Sequence, residues 1–215
     1  MSDTQLASMR IGAVDTAIDE LRQSRGGNNI FILDGQTDAV LDHIHRDDVL
    51  NNRHKQSLQD SLEIFDMTVI GDGRYAAHLG KRNGLIVPGE DGELLEFRIF
   101  EAVKYRDTSG ILKIDVYANA TFLDLKTARV FDAMKTDPLT AVQHAEQALA
   151  GTEWQVGQVD YAGIRTLTFD DPFNPYAYLK RIAREFELEL RFYVTTDGSR
   201  VTGRYVDIVE QVGEW

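Results

Sequence analysis

The chain has 215 residues, 43% hydrophobic and 27% charged, with 35 acidic side chains against 23 basic ones and no cysteine. The missing cysteine excludes disulfides, thiolate nucleophiles and Cys-ligated zinc, and with no apolar run of about 18 residues no membrane-spanning helix is expected. A net charge of −12 repels phosphate backbones, so sequence-independent nucleic-acid binding is disfavoured.

The opening MSDTQLASMR lacks a basic region followed by an apolar run, so no secretory signal is expected. Residues 4–24 instead read as one amphipathic helix, with Leu6, Met9, Ala13, Ala17, Ile18 and Leu21 at three- and four-residue spacing and Gly26-Gly27 ending it. Such a stripe must be buried, either on its own core or on a neighbouring chain. The period then changes to that of strands. Ile30-Phe31-Ile32-Leu33 is closed by Asp34-Gly35, and Ala39 to Ile44 returns, which is a hairpin signal. Asp47 to Gln59 is polar and predicts a loop.

Leu62 to Ile70 predicts a strand with a slipped alternation: Leu62 and Ile64 share one face, Phe65, Met67 and Val69 the other. A bulge or cover on both faces accounts for such a pattern. Leu95, Phe97, Ile99, Val103 and Tyr105 predict a long strand, paired through the loop Arg106 to Gly110 with Leu112, Ile114, Val116 and Ala118. A short helical stretch, Thr121 to Thr127, places a domain boundary near residue 128.

The second half alternates helices with strands. Asp137-Pro138 predicts a capped helix carrying Leu139, Val142, Ala145 and Leu149 on one face, ended by Gly151. Asn174-Pro175 repeats the device before Leu179, Ile182, Ala183 and Phe186. Strands are expected at Trp154 to Val159 and Arg165 to Phe169, with a final hairpin of Leu188 to Val194 and Arg200 to Val209 about Thr196-Asp197-Gly198-Ser199. The fold class is therefore α+β: an N-terminal helix over 1–27, a β-rich sheet or barrel over 28–128, and a smaller α-β-β-α-β-β domain over 129–215.

Few constellations carry chemistry. Asp42-His43-Ile44-His45 with Asp47 and Asp48 is the best metal candidate, because residues two apart on a strand share a face. Zinc sites need three or four convergent ligands, so an ordinary polar strand end is the favoured reading and no metal or other cofactor is assigned. Glu63, Asp66, Glu90, Asp91, Glu93, Glu96 and Glu101 show no spacing that predicts a glycosidase carboxylate pair. Nucleophile-elbow, Walker and dinucleotide motifs are missing from the sequence. Trp154, Phe173, Tyr176 and Tyr178 suit a sugar platform or, more simply, a core. No catalytic residue is assigned.

The segment Glu189-Leu190-Arg191-Phe192-Tyr193-Val194, then Asp197-Gly198, then Val201 to Glu210 (VTGRYVDIVE) resembles the N-terminal region of phage minor structural proteins, the prophage tail endopeptidase family. Gly151 to Gly157, Phe97 to Ala102 and Ile30 to Gly35 fit the same order, so the resemblance covers about residues 30 to 212. It implies a siphophage tail-tip hub similar to gene-27-like baseplate hubs: a homotrimer that closes the tail tube beside the distal tail and tail tube proteins, with the tape measure protein as a further partner. It also implies a virion location at the tail tip after assembly in the host cytoplasm. Host-interaction and lytic domains are expected further along such chains, so this segment is expected to be structural and not an enzyme. The alternatives are a cell-wall-degrading tail endopeptidase and a carbohydrate-binding adhesion module.

Overall fold

The structure, a computed structural model, describes residues 29–57, 62–89, 91–161 and 163–210. The predicted helix over 4–24 lies outside these residues. Strand outweighs helix throughout, so the chain is β-rich. The described residues form two compact units: those up to Ala120 together with Thr195–Thr202, and those from Thr121 to Val194 together with those from Gly203 onward. The sequence set the break near residue 128, one short 3-10 helix (Thr121–Lys126) later.

The first unit contains β1 (Ile30–Leu33), β2 (Val40–Ile44), β3 (Val49–Ser57), β4 (Leu62–Ile70), β5 (Gly84–Pro88), β6 (Leu94–Arg106) and β7 (Leu112–Ala120). Their order across the sheet is β2-β1-β5-β6-β7-β4-β3, antiparallel at each step. β1 and β2 form the hairpin that Asp34-Gly35 predicts. The Asp34 carboxylate accepts the Gln36 and Thr37 N–H groups, which fixes the turn and lowers its pKa below the ordinary value. A Cβ on Gly35 would collide with the Arg82 carbonyl, so only glycine fits there. Asp107 closes the β6–β7 loop in the same way, accepting from Ser109 and Ile111 N–H groups at 2.9 and 3.0 Å.

Three features of this unit differ from the sequence expectation. The polar stretch expected as a loop contains β3, whose residues Val49 to Ser57 pair with Val69 to Leu62. β5, a run buried at Gly84 to Val87, was not expected at all. The bulge lies in β6 and not in β4: the register shifts between Ile99 and Glu101, leaving Phe100 as the extra residue. That insertion reverses the alternation. Phe97 and Ile99 face the core, whereas Val103 and Tyr105, expected on the same face, turn outward and are exposed. β4 keeps a regular alternation, with Glu63, Phe65, Met67 and Val69 buried.

The second unit contains β8 (Met134–Lys135), β9 (Leu139–Thr140), α1 (Ala141–Leu149), β10 (Trp154–Val159), β11 (Ile164–Arg165), β12 (Thr168–Phe169), α2 (Pro175–Phe186), most of β13 (Leu188–Thr196) and most of β14 (Val201–Glu210). β10 runs parallel to β14. Where one strand was expected over 165–169, two short strands pair with β9 and β8. α1 starts later than Asp137-Pro138 predicts. Its cap is Thr140, which accepts the Gln143 N–H while the Gln143 side chain accepts the Thr140 N–H, a reciprocal capping box. α2 begins where expected, with Asn174 Oδ1 accepting the Ala177 N–H at 2.8 Å and Pro175 in the first turn.

The helices enclose a buried polar chain. His144, fully buried on α1, donates from Nε2 to the Arg165 carbonyl at 3.0 Å. Its Nδ1 lone pair then accepts the Tyr178 hydroxyl proton at 2.9 Å. Gln147 Oε1 also lies 2.9 Å from the same hydroxyl as an acceptor, so the single phenol proton is shared between His144 Nδ1 and Gln147 Oε1. Burial lowers the His144 pKa from 6.5, against a smaller upward pull from the Arg165 carbonyl. The folded state therefore binds fewer protons at this site than the unfolded chain. Stability from this site is fully present above pH 6.5 and falls as pH drops from there through the lower folded value. Calorimetric melts from about pH 7.5 to about pH 5 should show Tm falling, with a shallower fall in His144→Gln. An equal slope in the variant would remove His144 from the account.

Candidate functional site: an open sheet face and a histidine pair

The bulge at Phe100 creates an outward face on the β3-β4-β7-β6 portion of the first unit. Cross-strand pairing aligns Glu101 with Tyr117, Val103 with Asp115 and Tyr105 with Lys113 on that face, and continues through Asp66 and Thr68 to Arg53 and Asn51. Apolar side chains stand in solvent along it: Phe100 is 41% exposed, Val103 43% and Tyr105 38%, with Ile111 at 50% in the adjoining loop. The Phe100 and Tyr117 rings meet at 6.3 Å. Exposed large side chains grouped on one strand mark an interaction surface more often than scattered ones do.

Beside this strip lies a concavity of about 460 Å3 lined by Asn51, Arg53, Asp66, Thr68, Asp115 and Tyr117, among others. Several polar groups in and beside it are paired. Arg53 donates to Asp66 at 2.6 Å, Thr68 to Asp115 at 2.7 Å and the Tyr105 hydroxyl to Asp115 at 3.3 Å. Desolvation, then the Asp115 charge, raises the Tyr105 pKa, which keeps the phenol a donor. Among the described strands β3 pairs on one side only, leaving a backbone edge open beside this concavity. Sequence reading missed this face, because the polar pattern of β3 and the extra residue in β6 both hide it.

Glu63 faces inward on β4, buried against His54 at 2.7 Å, whereas Asp66 faces outward toward Arg53, so these two carboxylates occupy opposite faces. Glu90 lies outside the described residues. Trp154, Phe173 and Tyr178 are buried, and half-buried Tyr176 stacks on Phe122 at 5.7 Å, so these aromatics form core and not a sugar platform. His43 and His45 do come together, with their Nε2 atoms 3.1 Å apart. Among the described residues no group of three or more His, Asp or Glu side chains converges in metal-binding geometry.

No protein-family model and no curated protein sequence matches the chain. Solved structures do. A tail protein from Neisseria meningitidis MC58 aligns over 85% of this chain at 9% identity with a TM-score of 0.53. Prophage tail protein gp18 from Listeria monocytogenes EGD-e aligns over 84% at 11% identity and 0.49. The 43 kDa tail protein of prophage MuSo2 from Shewanella oneidensis aligns over 84% at 13% identity and 0.49. The chain spans about half the length of each of these structures: 50%, 50% and 52%. At such identities the likeness is one of fold, shared with the Neisseria meningitidis tail protein.

Proposed function

We propose that this chain is a structural segment of a phage tail tip or baseplate, a hub module that assembles as a homotrimer, closes the tail tube and carries no catalytic site. The observation that supports this most is the fold likeness to a tail protein over 85% of the chain, joined to the TGRYVD hairpin resemblance in the sequence. The face on β6 adds a physical reason for assembly: Phe100, Val103 and Tyr105 are apolar area whose burial between copies stabilises association by about 25 cal/mol per Å2. A trimer ring needs a heterologous, closing contact, and an exposed strip on one unit docking on a different surface of the next copy meets that need. Distal tail and tail tube proteins are the partners on this reading, the tape measure protein a further one, and the tail tip of the virion the location.

Light scattering on a sizing column over a range of concentrations tests it. The expected mass is three times 24.3 kDa, reduced toward the monomer by Val103→Asp combined with Tyr105→Asp. A monomer at every concentration that also fails to co-elute with tail tube and distal tail proteins would overturn the reading.

A further inference from the structure

β2 presents Ile44 to the core, where it is fully buried, so the neighbouring residues His43 and His45 project from the opposite side of the chain. Their Nε2 atoms are 3.1 Å apart, and their ring centroids are 4.7 Å apart with the planes at 72°. Two explanations fit a pair of imidazole nitrogens this close: a shared proton, or a shared cation.

The centroids show how the two rings meet. A straight N–H···N hydrogen bond lines both nitrogens up with both centroids and separates the centroids by roughly 2.3 Å more than the nitrogens. Here the excess is only about 1.6 Å, from 4.7 Å against 3.1 Å. The contact is therefore bent, which either explanation accommodates.

We propose that His43 and His45 chelate a divalent transition-metal ion through their two Nε2 atoms. Two nitrogens 3.1 Å apart and each about 2.1 Å from one ion subtend about 95° at it, which suits cis positions of an octahedral or tetragonal ion such as Ni2+ or Cu2+ better than the wider angle of a tetrahedral site. Asp42 supports the arrangement. Its Oδ1 accepts the His43 backbone N–H at 2.9 Å and lies 3.7 Å from His43 Nδ1. At 3.7 Å this carboxylate is beyond hydrogen-bond reach, and its charge alone favours the proton on the nearer Nδ1, which leaves the Nε2 lone pair free for the ion. Phe31 flanks the His43 ring at 6.4 Å. The His43 side chain is 41% exposed and His45 is exposed, so an ion has access, and its remaining positions are open to water.

Calorimetric titration of the intact chain with Ni2+ tests this independently of the tail-hub reading. One saturable Ni2+ per chain is expected, lost in His43→Ala and in His45→Ala, retained in His78→Ala, and weakened about 10- to 100-fold in Asp42→Asn. Unchanged thermal melts in metal-free buffer would show that the variants fold. Absence of saturable Ni2+ binding in the native chain would overturn the site, as would binding undiminished in His45→Ala; either result leaves a hydrogen-bonded histidine pair.

Discussion

Replacing Phe97 with alanine should cost the chain about 3–5 kcal/mol of stability, as large-to-small aromatic substitutions in closed cores do. Phe97 is fully buried and sits where β6 changes partners, opposite Leu85 on β5 and Ala120 on β7. Its ring packs on Phe65 at 5.4 Å and takes the edge of His54 at 5.5 Å. The neighbours belong to hydrogen-bonded strands and cannot collapse into the space, so the full cavity term applies. Against a typical domain stability of about 5–15 kcal/mol, such a loss removes a large share. Denaturant melts of Phe97→Ala and Phe97→Leu measure it. A loss below about 1 kcal/mol for the alanine variant would mean that the sheet relaxes around the gap, contrary to this packing.

Tyr178→Ala should be as damaging in the second unit, again by about 3–5 kcal/mol. The ring is fully buried and meets Phe131 at 5.7 Å, Phe169 at 5.0 Å, Phe173 at 5.5 Å and His144 at 5.8 Å. Tyr178→Phe separates the ring from the hydroxyl. It leaves His144 Nδ1 without its donor and should cost about 1–3 kcal/mol, the penalty for a buried polar atom left unpaired. Burial pushes the phenol up to about 12, so the hydroxyl remains a donor over the accessible pH range. Equal losses for Tyr178→Phe and Tyr178→Ala would show that the hydroxyl network, not the ring, dominates this core.

The two proposed surface features answer to different measurements. The face on β6 is read by mass and by partner co-elution, whereas the histidine pair is read by metal titration on a single chain. Failure of one leaves the other standing, because Phe100, Val103 and Tyr105 lie on β6 and the imidazoles belong to β2 and the residue after it.

Sequence patterns located the elements whose signals are local. Asp34-Gly35, Asp107 and Asp197 mark turns because each carboxylate accepts nearby backbone N–H groups, an interaction written within a few residues. Asn174-Pro175 fixed the start of α2 for the same reason. The cap of α1 was misplaced because Asp137-Pro138 and Thr140 with Gln143 offer competing signals three residues apart, and the pairing of Leu139-Thr140 with Ile164-Arg165 favours the later one.

What required the tertiary structure is non-local. Among the described strands β3 pairs with β4 alone and its side chains meet solvent, so backbone pairing and not apolar alternation makes it a strand. β5, between β1 and β6, is buried along four successive residues and has no period to read. A single extra residue at Phe100 decides which side of β6 faces out, and nothing in the order of side chains announces it. The spacing of His43 and His45 is legible in sequence, but the 3.1 Å convergence of their nitrogens depends on rotamers set by the fold. The sequence by itself thus determined the turns, the second helix start, the strand-rich composition and the resemblance to tail hubs. Pairing partners, the reversal of a strand face and the meeting of two imidazoles were decided only in three dimensions, because each depends on contacts between residues whose separation or orientation local pattern does not encode.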